Sequence, residues 1–177
     1  MIIHDQPMDS MVPTVRFKKT DHDVRNPLLG TSGSACWDLH AYLPNSRKID
    51  SYSFTSNEPC TVIAGEGGLQ ILHLSRYVIP TGLMFEIPKD YVMKIYTRSG
   101  IAIKKGLNLV NGVAIIDSDF RGEVKILMVN LGARTFISHG ERIAQMEICP
   151  VENFVFSEVS DLSETKRGDG GLGSTGS

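Results

Sequence analysis

Short apolar runs separated by clusters of glycine, proline, asparagine and aspartate follow one another along most of the chain. This pattern is typical of short β-strands joined by turns. Many short strands at regular spacing indicate an all-β sandwich, jelly roll or small barrel. Residues 45–57 are polar and are predicted to be irregular. Strands are predicted at residues 12–17, 35–42, 60–64, 69–74, 77–80, 83–87, 91–96, 124–130, 135–137, 142–149 and 154–159.

One helix is predicted, over Ser99–Lys105. Gly100 and Gly106 limit it to about two turns, because glycine is a poor helix former. The tail from residue 160 is polar and becomes rich in glycine from residue 168. Its composition predicts a disordered arm that follows the β domain.

The stretch at residues 106–123 reads GLNLVNGVAIIDSDFRGE. Asn111 and Gly112 lie between two apolar runs, which predicts a β-hairpin whose turn residues both tolerate positive φ. The second run ends in Asp117, Ser118 and Asp119. Carboxylates at the end of a buried strand are costly for stability alone, so they indicate chemistry at the mouth of a cavity. The alternative is a hairpin followed by an acidic surface turn.

Composition excludes several classes of protein. The 177 residues suit one domain, and a hydrophobic content of 41% is enough for a core. The net charge of −2 gives no basic field for nucleic acid, and no apolar run approaches the roughly 20 residues of a membrane helix. The first residues lack the pattern of a signal peptide. Three cysteines without CxxC spacing argue against a disulfide scaffold or a zinc site, so we expect a reducing, cytoplasmic compartment.

Four further segments combine polar groups that could bind phosphate or metal. Residues 34–39 read SACWDL, with Asp38 in an apolar strand, and residues 96–100 read YTRSG at the start of the predicted helix. Helix N-terminal amides with arginine and serine suit a phosphate. Residues 140–146 read GERIAQM, and residues 167–176 read RGDGGLGSTG, whose glycines let backbone amides approach an anion. The alternatives are an edge aspartate, a simple N-cap, a turn with a strand, and a flexible linker.

Together with NGVAIIDSDF, these segments occur in an order that resembles the five motifs of the trimeric dUTPase family. The resemblance covers residues 34–177. It implies a jelly-roll-like β domain over residues 1–159 and a glycine-rich arm over residues 160–177 that closes an active site. It also implies a homotrimer with active sites shared between subunits, and Mg²⁺-assisted hydrolysis of dUTP to dUMP and pyrophosphate.

The resemblance assigns roles to individual residues. Asp38 would hold Mg²⁺ through water, and the Ser99 hydroxyl would lie near the scissile bridge. Asp117 would bind the sugar 3′-hydroxyl and act as general base, so Asp117 and Ser99 are the expected catalytic residues. Phe120 would lie under the deoxyribose and reject a 2′-hydroxyl. The expected substrate contacts are Arg98, Ser99, Gly100, Asn111, Ile115, Ile116, Asp117, Phe120, Lys125, Gln145, Arg167, Leu172, Gly173, Ser174 and Thr175.

Within that set, the hairpin around Asn111 would read uracil and exclude a thymine methyl. Gln145 would bind phosphate, with Arg142 as a structural partner. Arg167, Ser174 and Thr175 would grip the outer phosphates when the arm closes.

The chain departs from the family pattern at three places. Cys36 stands where the family usually has glycine, and Leu172 where the arm usually carries an aromatic residue that stacks on uracil. The distance from Asp38 to Arg98 is 98 − 38 = 60 residues, which is long for the family. The excess is assigned to an exposed insertion at about residues 45–76, for which an extra hairpin is one form, and a partner-binding surface is the alternative.

Two other functions are compatible with the same fold. A dCTP deaminase would need a glutamate in the strand VKILMVN, where the matching position is Leu127. A non-catalytic trimer could instead use nucleotide binding for regulation. The presence of all the expected catalytic side chains favours the pyrophosphatase.

Overall fold

The computed structural model describes residues 12–54 and 56–171. Within these ranges the chain forms thirteen strands and one helix, which confirms the all-β prediction. The elements are β1 (Arg16–Lys19), β2 (Leu28–Leu29), β3 (Trp37–His40), β4 (Lys48–Tyr52), β5 (Pro59–Ile63), β6 (Gly68–Ile71), β7 (Arg76–Glu86), β8 (Tyr91–Thr97), α1 (Ser99–Lys105), β9 (Leu107–Leu109), β10 (Ala114–Ile116), β11 (Glu123–Asn130), β12 (Thr135–Ser138) and β13 (Arg142–Pro150).

Two larger sheets and one ribbon make up the described part of the domain. The first sheet has the order β5-β4-β7-β11-β9, with β1 also paired to β7. The second sheet has the order β10-β8-β13-β3-β2, and β12 pairs with β6 in the ribbon. Every pairing between these strands is antiparallel. The second sheet positions the candidate site, because β8, β13 and β3 lie side by side in it.

A hydrophobic core lies between the two sheets. Alternate residues of β11 point into it, and Val124, Ile126 and Met128 are buried while their neighbours are half-buried or exposed. Leu39 of β3 and Ile95 of β8 enter the same core from the second sheet. This period of two is what a sheet with one face on the core requires.

The helix α1 has the bounds that the sequence predicts. Arg98 is its N-cap in an extended conformation, with φ −78° and ψ 135°. Gly106 ends it in the left-handed region, with φ 65°, and its N–H donates to the carbonyl of Ala102 at 3.0 Å. Arg98 makes no side-chain capping hydrogen bond, so the local signal is at the C-terminal end, where the left-handed glycine explains why the sequence alone located it.

Gly106 leads to the first prediction. A Cβ added there would lie 2.7 Å from the backbone of Gly132, at a positive φ that disfavours any side chain. We expect Gly106→Ala to lower the free energy of unfolding by roughly 2–4 kcal/mol, from backbone strain and steric overlap together. The matched control is Gly33→Ala, where an added Cβ meets no atom within 4 Å. Urea unfolding at fixed protein concentration measures both variants, and equal stability of the two would contradict this account.

The predicted hairpin at Asn111-Gly112 is wrong in its pairing. β9 pairs with β11 in the first sheet, whereas β10 pairs with β8 in the second, so the turn crosses between sheets. Only Gly112 has a positive φ, of 68°, and its N–H donates to the Leu109 carbonyl at 3.3 Å. A turn signal specifies a reversal of the chain but not the strand that each arm will join.

Other strand boundaries also differ from the predictions. Residues 45–57 are not irregular, because β4 lies within them and forms an antiparallel hairpin with β5. The strands predicted at 77–80 and 83–87 are one continuous strand, β7. The short strand β2 was not predicted.

The strand predicted at residues 154–159 does not form within this chain. Phe154, Val155 and Phe156 are 78%, 97% and 99% exposed. Their apolar pattern is suited to a strand, but no strand among the described residues pairs with them. None of the helices in the described parts of the chain has the length and apolar character needed to cross a membrane.

Candidate functional site

A cavity of about 300 Å³ brings together most of the predicted phosphate-binding residues. It lies where β3, β13 and the end of β8 meet the start of α1. The predicted residues that line it are Asp38, Arg98, Ser99, Gly100 and Gln145, together with Arg142. We call this group of six the cradle.

Strand register places the cradle residues. Gln145 on β13 is the Cα partner of Asp38 on β3 and of Tyr96 on β8. Its amide Nε2 donates to the Thr97 carbonyl at 3.2 Å, which fixes the side chain between the two strands. α1 begins directly after β8, so Ser99 and Gly100 lie at the same edge. The Ile101 N–H already donates to the Arg98 carbonyl at 3.0 Å, so the N–H groups of the first turn that remain for an anion are those of Ser99 and Gly100.

Two arginines hold the Asp38 carboxylate. Arg98 Nε lies 2.7 Å from Asp38 Oδ1, and Arg142 Nη1 donates to Asp38 Oδ2 at 3.1 Å. Asp38 is buried, so pairing with two cations compensates the cost of removing its charge from water. Arg98 Nη1 also donates to the backbone carbonyl of Arg142 at 3.2 Å. Two positive charges against one negative charge leave the cradle net positive, which suits a polyphosphate.

His40 and Arg25 are further residues beside the cradle, and reasoning from the sequence missed both. His40 is buried two residues after Asp38 on β3, so both side chains point to the same side of the strand. Burial, and then the positive charge of Arg25, lower the pKa of His40, and the arginines at 142 and 98 act in the same direction. The neutral ring is therefore favoured. Strand alternation was the signal that could have found His40.

Cys36 lines the cradle cavity at the position where the family usually has glycine. Its side chain is half-buried, and burial raises the pKa of its thiol, with smaller contributions in the same direction from Glu147 and Asp38. The strand accommodates this side chain and still presents Asp38 to both arginines.

Asp117 lies in a different cavity, of about 730 Å³, which Ile115 also lines. Ile116, the residue before Asp117, pairs with Met93 on β8, which is 98 − 93 = 5 residues before Arg98. At about 3.3 Å per residue this puts roughly 17 Å along the strand between Ile116 and Arg98, and roughly 10 Å between Ile116 and Gln145, which lies opposite Tyr96. Within one chain, Asp117 and the cradle therefore line separate cavities.

The other predicted contacts are dispersed over the chain. Asn111, Phe120 and Lys125 are exposed, and none of them lines either cavity. Arg167 is exposed, and its Nε donates to the Gly170 carbonyl at 2.8 Å in a local turn. The remaining predicted arm residues, Leu172, Gly173, Ser174 and Thr175, lie outside the described residues.

Comparison with known proteins agrees with this arrangement. A family model described as dUTPase matches residues 68–176, which is more than half of the chain. The deoxyuridine 5′-triphosphate nucleotidohydrolase of Rhizobium meliloti (strain 1021) is 42% identical over 151 residues, which cover 85% of this chain and 82% of that protein. The protein of the same name from Dinoroseobacter shibae is 39% identical over 170 residues, which cover 96% and 99%.

Solved structures give the same fold. A mutant of the Staphylococcus bacteriophage 80alpha dUTPase with dUpNHpp superposes with a TM-score of 0.71 over 94% of this chain and all of that one, at 20% identity. A mutant of the dUTPase from phage phi11 of S. aureus superposes with a TM-score of 0.66 over 86% of this chain and all of that one, at 16% identity. At such identities the structures speak only for the fold, whereas the family model and the sequence relatives establish that the chain belongs to the dUTPase family.

Proposed function

We propose that the chain hydrolyses dUTP to dUMP and pyrophosphate. Its membership of the dUTPase family supports this, since its relatives carry the name deoxyuridine 5′-triphosphate nucleotidohydrolase. The observation that carries the proposal is the cradle itself, in which buried Asp38 lies between two arginines beside Ser99. The net positive charge and the leading N–H groups of α1, at Ser99 and Gly100, suit a triphosphate. The expected compartment is the cytoplasm, with no nucleic acid or membrane partner.

The complete active site is proposed to form between copies of the chain in a homotrimer. Asp117 follows Ile116, which is roughly 10–17 Å along β8 from the cradle residues Gln145 and Arg98, and it lines a different cavity. A general base must lie within hydrogen-bond reach of the attacking water, so Asp117 of the same chain is too far from an α-phosphate held in the cradle. A second copy that supplies Asp117 removes this difficulty. Closed symmetric assemblies are also the usual form of such homo-oligomers.

Exposed apolar surface supports such an assembly. Residues 154–159 carry Phe154, Val155 and Phe156 almost fully exposed after the end of β13. An apolar groove of about 470 Å³ that Trp37 and Phe85 help to line is open on the same chain. Clustered apolar side chains exposed on an isolated chain are typical of a protein–protein interface. We propose that contact with another copy covers both features.

In this site, the cradle would bind the phosphates, and the turn before β10 would bind the uracil ring. Arg98, Ser99 and Gln145 would contact the phosphate chain. Asn111, Ile115 and Ile116 from another copy would contact uracil, with Phe120 under the sugar and Lys125 as a further substrate contact. The arm residues Arg167, Leu172, Gly173, Ser174 and Thr175 would close over the nucleotide.

Magnesium fits the cradle through one carboxylate. Mg²⁺ keeps several waters and binds through few carboxylates together with substrate phosphates, so a single Asp38 that acts through water is enough. When bound, the ion would neutralise charge on the phosphates. The phage phi11 relative has a structural Mg(II) ion, which supports metal binding in the family but does not identify this position.

Hydrolysis would proceed by in-line attack of water on the α-phosphorus. Asp117 would accept the proton from that water, and the dUMP–pyrophosphate bond would break on the opposite side. Arg98 and Arg167 would stabilise the charge that builds on the phosphate oxygens, which is the main source of rate in phosphoryl transfer. Ser99 would orient the scissile bridge.

Pyrophosphate release from dUTP, dCTP, dTTP and UTP tests the proposal directly. We expect turnover of dUTP with strong discrimination against the other three. Ammonia release from dCTP would instead indicate a deaminase, although Leu127, at the position that would need glutamate, is an outward-facing residue of β11. Tight binding of dUTP with no pyrophosphate release would indicate a regulatory trimer.

Selectivity for deoxyribose leads to a second prediction. We expect Phe120→Ala to raise the rate with UTP relative to dUTP, because a smaller side chain leaves room for the 2′-hydroxyl. In the structure the Phe120 ring lies over Gly122, where an added Cβ would come within 2.6 Å of the ring. The ratio of kcat/KM for the two nucleotides measures the effect. An unchanged ratio would assign the discrimination to another residue.

Removal of the arm is a third prediction. Chains that end before Lys166 should keep their oligomeric state, because residues 160–171 contribute no strand to the domain. They should lose most of their turnover, because Arg167 and the glycine-rich segment are absent. Sedimentation and pyrophosphate release together measure both properties. A monomeric truncated chain, or one with full activity, would contradict the proposed role of the arm.

A further inference from the structure

The turn that carries Asp117 is attached to the domain at two points. At its first end, Ile116 pairs with Met93 in the ladder between β10 and β8. Its other end is Glu123, the first residue of β11, which belongs to the other large sheet. Residues 117–122, which we call the acidic turn, therefore cross from one sheet to the other. Their position depends on how firmly Glu123 is held.

The acidic turn is braced by its own hydrogen bonds. Arg121 Nη1 donates to the carbonyl of Ser118 at 2.6 Å and to the carbonyl of Phe120 at 2.9 Å. The Phe120 N–H donates to the Asp117 carbonyl at 3.2 Å. These contacts hold the turn in one shape, so a displacement of one end should move Asp117 and Phe120 together.

Side chains supply part of the attachment of Glu123. The register between β11 and β7 shifts immediately after Glu123, and a ladder is locally disrupted at such an irregularity. Here the Gly82 N–H donates to Glu123 Oε1 at 2.8 Å. Thr81 Oγ1 donates to the carbonyl of Val124 at 2.6 Å. Both backbone groups thus find side-chain partners at the shift, and the carboxylate of Glu123 becomes part of the anchor.

Arg47 holds the other oxygen of this carboxylate. Its Nη2 lies 3.2 Å from Glu123 Oε2, and the side chains of Arg47 and Glu123 are 34% and 14% exposed. The Arg47 guanidinium also lies 5.5 Å from the centre of the Tyr42 ring, a cation–π contact that restricts it. A mostly buried carboxylate is costly without a partner for its charge. Loss of Arg47 would leave Glu123 with only the Gly82 N–H among the described residues.

Arg47 belongs to the segment at residues 45–76, to which the extra length of the chain is assigned. Its carbonyl accepts from the Ala64 N–H at 2.9 Å, at the base of the hairpin that β4 forms with β5. We propose that Arg47 is a positioning residue for the acidic turn and that it acts through Glu123. This inference rests on the proposed function, in which the turn presents Asp117 and Phe120 to the cradle of another copy. It gives the inserted segment a part in catalysis and in sugar selection.

Arg47→Ala tests this role, and Arg76→Ala is the matched control. Arg76 lies in the same segment with its guanidinium 5.4 Å from the centre of the Tyr52 ring, but its hydrogen bond goes to Asn57. We expect kcat for dUTP to fall about 10–100-fold in Arg47→Ala, as for a misplaced catalytic group, and to stay near wild type in Arg76→Ala. The ratio of kcat/KM for dUTP to that for UTP should fall in Arg47→Ala alone, because Phe120 moves with the turn.

Two further measurements separate this role from a general loss of structure. No residue of the acidic turn lines the cradle cavity, so the inhibition constant of pyrophosphate should be the same in Arg47→Ala and wild type. Glu123→Gln keeps an acceptor for the Gly82 N–H but has no charge to pair with Arg47. In that background, Arg47→Ala should have little further effect on kcat, since the two side chains act as one pair.

Three outcomes would overturn the inference: equal kcat and equal nucleotide ratios in Arg47→Ala and Arg76→Ala, a full effect of Arg47→Ala in the Glu123→Gln background, or a loss of pyrophosphate binding that parallels the loss of kcat. If Arg47→Ala does not fold, Glu123→Gln decides, because it should lower kcat and leave pyrophosphate inhibition unchanged. Absence of dUTP turnover in the wild-type protein would refute the proposed function, whereas an active wild type with an unaffected Arg47→Ala variant would refute this inference alone.

Discussion

Replacement of Asp117 by asparagine is expected to lower kcat by about 10²–10⁴, the usual contribution of a positioned general base. Asparagine keeps the size and the hydrogen-bonding reach of the side chain but cannot accept the proton of the attacking water. Asp117 is exposed at the end of β10, so the change should cost little stability. Binding of a non-hydrolysable dUTP analogue should therefore remain close to that of the wild type.

Asp119 provides the matched control for this prediction. It lines the same cavity as Asp117, two residues further along the chain, and it carries no assigned role in the reaction. Asp119→Asn should keep most of the turnover. If the two variants lose activity equally, the effect belongs to the charge of the acidic turn and not to a base. Wild-type turnover in Asp117→Asn would refute the assignment of Asp117 as the general base.

The sequence predicted best where the signals were local. Ser99–Lys105 was located correctly because an extended residue precedes it and a left-handed glycine ends it. The position of β11 was also predicted from a local signal. Apolar residues alternate along it, and this alternation follows the side of the strand on which each residue lies. The order of the motif segments then placed five of the expected phosphate and metal contacts in one cavity.

Local signals in the sequence do not show which strand pairs with which. The runs before and after Asn111-Gly112 look like the two arms of a hairpin, yet each joins a different sheet. β4 was missed because its buried positions are Ile49 and Ser51, and a serine does not contribute to an apolar pattern. Residues 154–159 have the pattern of a strand but no partner strand in the described part of their own chain.

The electrostatic pairing in the cradle also depends on contacts distant in sequence. Arg142 and Asp38 are 104 residues apart in sequence, and no local motif predicts that one carboxylate will pair with two arginines. His40 stayed unnoticed because a histidine in a strand has no distinctive pattern. Only its burial beside three arginines makes it unusual.

The division of the site between Asp117 and the cradle predicts that two inactive chains can restore each other. The Asp117→Asn chain has an intact cradle but lacks the general base, and the Arg98→Ala chain has the general base but lacks an intact cradle. Each homo-oligomer should therefore be nearly inactive. In oligomers assembled from an equal mixture, some sites combine an intact cradle from one chain with an intact Asp117 from its neighbour. Random assembly makes about one quarter of the sites complete, so activity should recover to about that fraction of wild type.

The reverse arrangement supplies the control. A chain that carries both substitutions, mixed equally with wild-type chains, should give about one quarter of wild-type activity if each site uses two chains, and about one half if each site uses one. Gln145→Ala can replace Arg98→Ala as the cradle variant, because loss of Arg98 leaves buried Asp38 with Arg142 alone. If the mixture of single variants is no more active than its two parents, a single chain must contain the whole site. The separation of Asp117 from the cradle would then have to close by a rearrangement of β10 against β8, which the antiparallel pairing of Ala114, Ile115 and Ile116 with that strand opposes.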